Sequence, residues 1–399
     1  MSKLEDLIKK LCPNGVQFKS ISEVVKINGY KQLGAADLES LKTKNGEIRL
    51  LPSSNNHDWY TDKKKANDYL CFGEIFTLGR ARNANIKYCQ GYFVSSNNVI
   101  VESNEPNKVL TRYLYFFVSS HIKDIYVETS TYPKFDHNSF NKLQVPVPPI
   151  EVQREIVRIL DNFTELTAEL TAELTARKKQ YEYYLNSLLD INKFSANKIM
   201  YVGELFEIKN GLNKEKEAFG KGTPIVNFTD VYNNRYLTTS MINGRVTLSI
   251  SEIERYKVKK GDVFFTRTSE TKEDIGMSST IIEDIKDCTF SGFVLRARPK
   301  TDLLLPKFCS YYFSTHQVRK TIVRYASFTT RATTSGPKLS KIPVPIIPLE
   351  EQQRIVDILD KFDMYCNDLT KGLPAEIEAR QKQYEYYRDK LLTFKKLEV

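Results

Sequence analysis

Short sequence blocks occur twice in this chain, in the same order and about 200 residues apart. Residues 177–184 carry R-K-K-Q-Y-E-Y-Y, and residues 380–387 carry R-Q-K-Q-Y-E-Y-Y. Upstream of these, residues 156–163 carry I-V-R-I-L-D-N-F, and residues 355–362 carry I-V-D-I-L-D-K-F. A period of this length is too long for a solenoid, so the chain is one module present in two copies. The duplication predicts an internal pseudo-twofold, which suits a pseudo-symmetric partner or two copies of one partner.

The regions that hold these blocks have the pattern of long helices. Each begins after a matched proline block, V-P-V-P at 145–148 and I-P-V-P at 342–345. Residues 150–189 contain neither glycine nor proline, and apolar residues recur there at steps of three and four, as in an amphipathic helix. In the second copy, the G-L-P at 372–374 predicts that one helix ends and another begins. Because each apolar stripe needs a partner, we expect an antiparallel, coiled-coil-like pair.

A tetrapeptide repeat lies inside the first helical region. T-A-E-L occurs at 167–170 and again at 171–174. The spacing between matching blocks rises from 199 residues at Ile156 and Ile355 to 203 residues at Tyr181 and Tyr384, so the copies differ here by four residues. Four residues add ~1.1 turns and ~6 Å to a helix, which nearly preserves the apolar stripe. One interpretation is a simple slippage repeat in a solvent-exposed helix. The other is an adjustable ruler, in which the number of repeats sets the length of the helix.

The positive charge of the chain lies outside the helical regions. The 399 residues carry a net charge of +10, but residues 150–189 and 350–399 each carry −2. Residues 1–149 carry +5 and residues 190–349 carry +9. A basic surface is typical of phosphate binding, although basic proteins of other function are also common.

The sequence predicts an α+β protein of four segments. Two basic globular domains with strand-like segments, residues 1–149 and 190–348, alternate with the helical regions 150–189 and 349–399. The domains are weakly similar, as in G-E-I-F-T from Gly73 and G-D-V-F-F-T from Gly261, so we expect one fold carrying diverged surfaces. The start of the chain lacks a signal-peptide core and no 18-residue apolar run occurs, and the six scattered cysteines form no C-x-x-C pair. We therefore expect a cytoplasmic protein without membrane contact, disulfides or a zinc site.

No sequence motif predicts catalysis. The chain has no G-x-x-x-x-G-K-[ST] loop for ATP and no Asn-Pro-Pro-aromatic motif for methyl transfer, and its four histidines lie far apart. We therefore expect no catalytic residue, cofactor or metal. Asp262, Glu270 and Lys272 have the composition of a metal-dependent nuclease, which keeps an enzyme acting alone as an alternative. A protein-only coiled-coil scaffold is another alternative, but it leaves the basic domains unexplained.

The repeated blocks resemble those of the specificity (S) subunits of type I restriction-modification systems. The P-V-P at 343–345, the E-Q-Q-R-I-V-D-I-L-D at 351–360 and the Q-Y-E-Y-Y-R-D at 383–389 resemble the second conserved region of that family. Residues 146–189 resemble its central conserved region, and the tandem T-A-E-L resembles its type IC branch. The resemblance implies two target-recognition domains, each reading half of a split double-stranded DNA sequence, separated by two antiparallel helices. It also implies assembly with two methyltransferase (M) subunits and with restriction (R) subunits.

Base recognition requires side chains that reach base edges, and we expect them in polar loops that follow strands. The candidates in the first domain are Arg80, Arg82, Asn83, Asn85, Lys87, Thr131, Tyr132 and Lys134. The candidates in the second domain are Arg267, Thr268, Ser269, Lys272, Thr330, Arg331, Thr333 and Thr334. Residues 53–57 and 210–214 are weaker candidates, and any one of these residues can instead be a solvated loop residue. Tyr183 and Tyr386 fall off the main apolar stripe, so they face either the helix pair or a partner subunit.

Overall fold

Two compact units make up the chain. The computed structural model describes residues 3–55, 59–80, 84–194, 198–368 and 371–398. The first unit combines residues 1–171 with residues 376–399, and the second unit contains residues 172–375. Each unit therefore holds one of the basic globular regions together with parts of both helical regions. Both units mix helices and sheets, which confirms the predicted α+β class.

The first unit contains most of the α-helices and strands from the first half of the chain. Its helices are α1 (Lys3–Leu11), α2 (Ile21–Val24), α3 (Ala35–Ser40), α4 (Lys63–Ala66), α5 (Thr111–Ser120), α6 (His137–Lys142) and α7 (Ile150–Leu188), which continues into the second unit. Its strands are β1 (Gln17–Ser20), β2 (Val25–Ile27), β3 (Gln32–Leu33), β4 (Ile48–Leu51), β5 (Tyr60–Thr61), β6 (Cys71–Gly79), β7 (Ile86–Ser96), β8 (Asn98–Ser103), β9 (Tyr126–Val127), β10 (Lys134–Phe135) and β11 (Gln144–Val147). Short 3₁₀ turns occupy Asn67–Tyr69 and Ile122–Ile125.

A seven-stranded sheet forms the centre of the first unit. Its order is β2-β8-β6-β7-β4-β5, and β3 also pairs with β7. β3 and β4 run parallel to β7, while β6 pairs antiparallel with β7 and β8. Helix α5 supplies Tyr113 and Phe117 to a buried cluster that also contains Phe76 of β6 and Ile156 of α7. The sheet is therefore fixed to the first part of the long helix through a shared core.

The second unit repeats this plan with different strand lengths. Its helices are α8 (Val202–Leu205), α9 (Phe228–Asn233), α10 (Ile250–Tyr256), α11 (Pro306–Tyr312), α12 (His316–Tyr325), α13 (Gly336–Leu339), α14 (Leu349–Asn367) and α15 (Leu373–Leu391), which continues into the first unit. Its strands are β12 (Ile199–Tyr201), β13 (Phe206–Asn210), β14 (Phe219–Val226), β15 (Tyr236–Leu237), β16 (Arg245–Val246), β17 (Val263–Thr266), β18 (Thr268–Ser269), β19 (Ser278–Ile281), β20 (Thr289–Phe290), β21 (Val294–Pro299), β22 (Ser327–Phe328), β23 (Ala332–Thr333) and β24 (Pro343–Pro345). Short 3₁₀ turns occupy Ile191–Lys193, Lys216–Ala218 and Thr239–Met241.

Corresponding sheets occur in both units. The five-stranded sheet of the second unit has the order β13-β21-β17-β19-β15, in which β17 lies between its antiparallel neighbours as β6 does in the first unit. The proline block of each copy forms a strand that pairs antiparallel with the first strand of its domain, β11 with β1 and β24 with β12. The second unit has two further sheets of three strands, β16-β14-β20 and β18-β23-β22.

The long helices confirm the predicted pattern of breaks. Helix α7 runs without interruption for 39 residues through both T-A-E-L copies. Within it, the hydroxyls of Thr164, Thr167 and Thr171 donate to the carbonyls four residues earlier, at 3.0, 2.8 and 2.8 Å. The other region is divided into α14, which ends at Asn367, and α15, which begins at Leu373, as the G-L-P sequence predicts.

Inside each unit, the two repeated blocks contact each other. In the first unit the ring of Phe163 stacks on Tyr387, with centroids 5.5 Å apart. In the second unit Phe362 stacks on Tyr184 at 5.2 Å. Phe163 and Phe362 hold the same position in the I-L-D-x-F block, and Tyr184 and Tyr387 hold the same position in the Q-Y-E-Y-Y block. The duplicated blocks are therefore matching contact surfaces for one another.

A buried glutamine joins each helical region to its globular domain. The amide of Gln153 accepts from the backbone N–H of Leu110 at 2.9 Å and donates to the carbonyls of Lys108 and Pro148, both at 2.8 Å. Gln352, the matching residue, accepts from Leu305 N and donates to the carbonyls of Leu303 and Ile347, all at 2.8 Å. Both side chains are fully buried. Each glutamine satisfies three backbone groups that would otherwise be buried without a partner.

Candidate nucleic-acid interface

The two candidate stretches of the first unit meet at one end of the central sheet. Arg80 follows β6, and its carbonyl accepts from the backbone N–H of Phe135 in β10 at 3.1 Å. The Tyr126 hydroxyl donates to the carbonyl of Gly79, which fixes β9 beside the end of β6. Asp136 then caps α6 by accepting from Ser139 N at 2.9 Å, which ends β10 at this point. Arg80, at the end of β6, therefore lies beside β10 and the residues that precede it.

The predicted residues of these two stretches differ in accessibility. Arg80, Thr131, Tyr132 and Lys134 are exposed. Arg82 and Asn83 lie outside the described residues. The four exposed candidates all carry hydroxyl, guanidinium or ammonium groups that can meet bases or phosphates.

Asn85 and Lys87 do not face solvent, which corrects their assignment as direct DNA contacts. Lys87 is 2% exposed, and its ammonium donates to the carbonyl of Pro52 at 2.7 Å, to that of Ser54 and to Asn85 Oδ1 at 2.9 Å. Asn85 Nδ2 donates to the carbonyl of Ser53 at 2.7 Å. Burial, together with the nearby Arg49 charge, lowers the pKa of Lys87 to about 8. Both side chains hold the loop after β4.

The second unit brings its two candidate stretches together in the same way. β18 pairs with β23, with Thr268 opposite Thr333 and Ser269 opposite Ala332. The backbone N–H of Thr334 donates to the carbonyl of Arg267 at 3.0 Å, in the position of the Phe135–Arg80 hydrogen bond of the first unit. Sequence reasoning predicted both stretches as candidates, and the structure places them in one small sheet.

The side chains of this sheet again divide into two groups. Lys272, Thr330, Arg331 and Thr333 are exposed, whereas Arg267, Thr268 and Ser269 are half-buried. Thr334 is only 4% exposed, so its side chain cannot contact DNA in this conformation. Thr333 and Thr334 point to opposite sides because successive residues of an extended segment alternate. The direct-contact prediction therefore fits Thr333 and not Thr334.

A cavity of about 540 Å³ lies beside the second sheet, at residues that sequence reasoning mostly missed. It is lined by Phe228, Tyr232, Thr268, Ser269, Glu270, Thr271, Asp274, Phe293 and Arg331. The rings of Phe228 and Tyr232 stack at 5.5 Å, and Phe293 is 65% exposed. The weaker candidate loop adjoins it, since the N–H of Gly292 donates to the carbonyl of Leu212 at 2.7 Å. The exposed ring of Phe293, beside hydroxyl and guanidinium groups, can contact a base face while those groups reach base edges.

The acidic residues do not support a nuclease centre. Asp262 is fully buried and receives two hydrogen bonds from the guanidinium of Arg298, at 2.7 and 2.8 Å. Glu270 and Lys272 are exposed beyond the other end of β17. Among the described residues, no group of three or more His, Cys, Asp or Glu side chains could hold a metal ion. The geometry gives Asp262 a structural role.

Comparison with known proteins identifies the family. The family model for the type I restriction modification DNA specificity domain matches residues 13–177 and again residues 195–379. The chain belongs to this family. The two matches correspond to the two copies of the duplicated module. Its role is therefore DNA recognition within a type I restriction-modification system, as a specificity subunit without catalytic activity of its own.

Individual relatives match along most of the chain. A Haemophilus influenzae chain named as a type I restriction enzyme specificity subunit is 29% identical over 402 aligned residues, covering 97% of this chain and 98% of the relative. The EcoR124I/EcoR124II specificity subunit of Escherichia coli is 33% identical and covers 76% of each chain. The crystal structure of a type I S subunit from M. genitalium has a TM-score of 0.55 at 16% identity, covering 95% of this chain and 96% of that one. The last comparison concerns the fold alone.

The helical blocks carry a second exposed feature. Tyr183 and Tyr386 are equivalent in the duplication and are 68% and 62% exposed. Each packs edge-on against the tyrosine that follows it, at 5.7 and 5.3 Å. Both residues face outward within their units. Within the part of the chain that the structure covers, no helix is both long and apolar enough to cross a membrane.

Proposed function

We propose that the chain recognises a split double-stranded DNA sequence, and that each unit reads one half-site through its converged loops. One observation carries this proposal. The Phe135–Arg80 and Thr334–Arg267 backbone hydrogen bonds join equivalent stretches in the two units, yet the side chains around them differ. One scaffold with two different recognition surfaces suits two different target sequences.

The basic surface and the exposed candidate side chains bind different parts of the DNA, the phosphates and the bases respectively. The +5 and +9 charges of the two globular regions attract the DNA backbone irrespective of sequence. Base identity is read by Arg80, Tyr132 and Lys134 in the first unit, and by Arg331 and Thr333 with the neighbouring cavity in the second. A guanidinium suits guanine, and a threonine methyl or a phenyl ring suits the methyl group of thymine.

Modification and cleavage belong to partner subunits. The chain assembles with two methyltransferase subunits and, in the full complex, with restriction subunits. The exposed Tyr183 and Tyr386, present once in each unit, support two copies of one partner, because tyrosine is favoured at protein interfaces. The complex acts in the cytoplasm, which suits six free and buried cysteines.

The test is a map of methylation by the complex. The chain is co-purified with the methyltransferase encoded beside it and incubated with methyl donor and a DNA library, and methylated adenines are then located. We expect a two-part motif with a fixed gap.

Two matched variants assign the halves of that motif. Arg80→Ala should relax base choice in one half-site, and Arg331→Ala should relax it in the other. Each variant is the control for the other, since a shared loss of folding or of assembly would affect both halves. A stable complex without sequence preference would contradict the proposed function.

A further inference from the structure

The loop after β4 is held by buried polar side chains. Four consecutive carbonyls, those of residues 51–54, accept from side chains: Leu51 from Asn98 at 2.8 Å, Pro52 from Lys87 at 2.7 Å, Ser53 from Asn85 at 2.7 Å, and Ser54 also from Lys87. The N–H of Ser53 donates to the hydroxyl of Ser96 at 2.9 Å. Asn85, Lys87, Ser96 and Asn98 are all buried. We call residues 51–55 the clamped loop.

Burying the charged ammonium of Lys87 beside the clamped loop is energetically unfavourable. Its partners in the structure are three neutral oxygens, and Arg49 adds an unfavourable like charge. Burying a charge is unfavourable unless hydrogen bonds compensate for the lost hydration. An apolar side chain of similar length would avoid this cost but could not tie the carbonyls of Pro52 and Ser54 together. The arrangement therefore fixes the path of the loop backbone.

The clamped loop adjoins the surface that the proposed function assigns to the first half-site. Asn85 belongs to the segment that follows Arg80, and it holds the carbonyl of Ser53. Asn98, which holds Leu51, lies opposite Gly79 across the β6–β8 pair. Asn55 is exposed, and Ser53 and Ser54 are half-buried. These contacts tie the clamped loop to residues that pair with Gly79, the residue before Arg80.

The second unit has no lysine at the matching place. Because Arg80 and Arg267 hold matching places, Thr77 matches Phe264, and these two residues pair with Lys87 and Ser279 in their respective sheets. Ser279 therefore stands where the first unit has Lys87. A serine is too short to span two carbonyls of a neighbouring loop. The lysine-held loop belongs to the first unit, and its effect on recognition should be confined to one half-site.

We propose that residues 53–55 form a third DNA-reading loop of the first unit, and that Lys87 is the positioning residue that sets its shape. The inference rests on the proposed function. Asn55 is the member best suited to a base edge, because an asparagine amide can form two hydrogen bonds to adenine. Ser53 and Ser54 add two hydroxyl groups on the same backbone segment. A preformed loop loses little conformational freedom on binding, which favours selective contacts.

The experiment compares three variants in the methylation map. Asn55→Ala removes the exposed amide, Lys87→Met removes the buried ammonium at similar length, and Lys64→Met removes an exposed charge on α4 as the control. We expect Asn55→Ala to lose about tenfold in discrimination at one base of the first half-site. Lys87→Met should relax the bases read by the clamped loop while the second half-site keeps its preference. Lys64→Met should leave the preferred bases of both half-sites unchanged.

The outcomes separate this inference from the proposed function. If the wild-type complex methylates a two-part motif but Asn55→Ala keeps every preference, the clamped loop does not read DNA. If Lys87→Met weakens both half-sites equally, its role is general stability, and the positioning role is overturned. If Lys87→Met does not assemble, the exposed Asn55→Ala variant still decides the question. A wild-type complex that shows no two-part motif would overturn the proposed function itself.

Discussion

Replacing Gln153 by methionine tests how the helical region is attached to the first globular domain. Methionine has nearly the same volume, so it fills the site without a large cavity. It removes three hydrogen bonds and leaves the N–H of Leu110 and the carbonyls of Lys108 and Pro148 without their side-chain partner. Each hydrogen bond contributes about 1 kcal/mol net, and an unsatisfied buried group costs about 1–3 kcal/mol. We expect the free energy of unfolding of the first unit to fall by about 3–5 kcal/mol.

The single tryptophan makes this change measurable in one unit. Trp59 is the only tryptophan in the chain, and it packs in the first unit beside the cluster that contains Leu38 and Leu50. Its fluorescence during urea unfolding therefore reports on the first unit, and the midpoint should fall at an unchanged slope. Gln144→Met is the surface control in the same unit, because that exposed side chain donates to the carbonyl of Lys142 at 3.4 Å and should change stability by less than about 0.5 kcal/mol. A loss below about 1 kcal/mol for Gln153→Met would refute the reasoning, because three buried hydrogen bonds cannot be that weak together.

Three further results are expected. Phe163→Ala and Phe362→Ala should each destabilise their own unit by about 1–2 kcal/mol, because each removes a half-buried ring that stacks on a tyrosine. If the urea midpoints of the two units fell from their wild-type values by clearly different amounts, the two contacts would not be equivalent. Hydrogen bonds from Arg158 and Lys3 lower the pKa of Glu155 to about 2, so its stabilising contribution is full above about pH 4.5 and is lost as pH falls towards 2; Glu155→Gln should be less stable than wild type at pH 7, and the gap should narrow at pH 3 in Trp59-detected urea unfolding. One extra T-A-E-L in α7 should widen the gap of the methylated motif by about one or two base pairs with unchanged half-sites, because ~6 Å compares with ~3.4 Å per base pair, and a change in half-site bases would contradict a ruler.

The helical parts of the fold were predictable because their signals are local. The uninterrupted helix over 150–189 follows from a stretch without breakers, and the division near Gly372 follows from a glycine followed by a proline. The division of the chain into four segments at residues 149, 189 and 348 stays a prediction. The two units group parts of both helical regions with each globular domain. This grouping depends on long-range packing, such as that of Phe163 on Tyr387, which local patterns do not encode.

The candidate interface was predictable by position and less so by side chain. Polar composition after strand-like segments identified the stretches near Arg80 and Arg267, which the structure joins to residues 131–134 and 330–334. Lys87 was misassigned because a lysine in a polar stretch suggests exposure. Its alternation with Cys89 in β7 was the available signal, since residues two apart in a strand share a face and Cys89 is buried. The carbonyls of Pro52 and Ser54, whose hydrogen bonds compensate for the burial of Lys87, lie more than 30 residues away in the sequence.

Because α7 is unbroken through both T-A-E-L copies, a change in its length also rotates one end of the helix relative to the other about the helix axis. Four added residues advance the helix by ~6 Å and rotate everything beyond them by ~40°, since each residue contributes ~100°. B-form DNA advances ~3.4 Å and rotates ~35° for each base pair. One added tetrapeptide therefore matches two base pairs in distance but one base pair in angle. The gap chosen by a lengthened protein would show whether the two recognition surfaces are constrained more by their separation or by the side of the DNA that each must face.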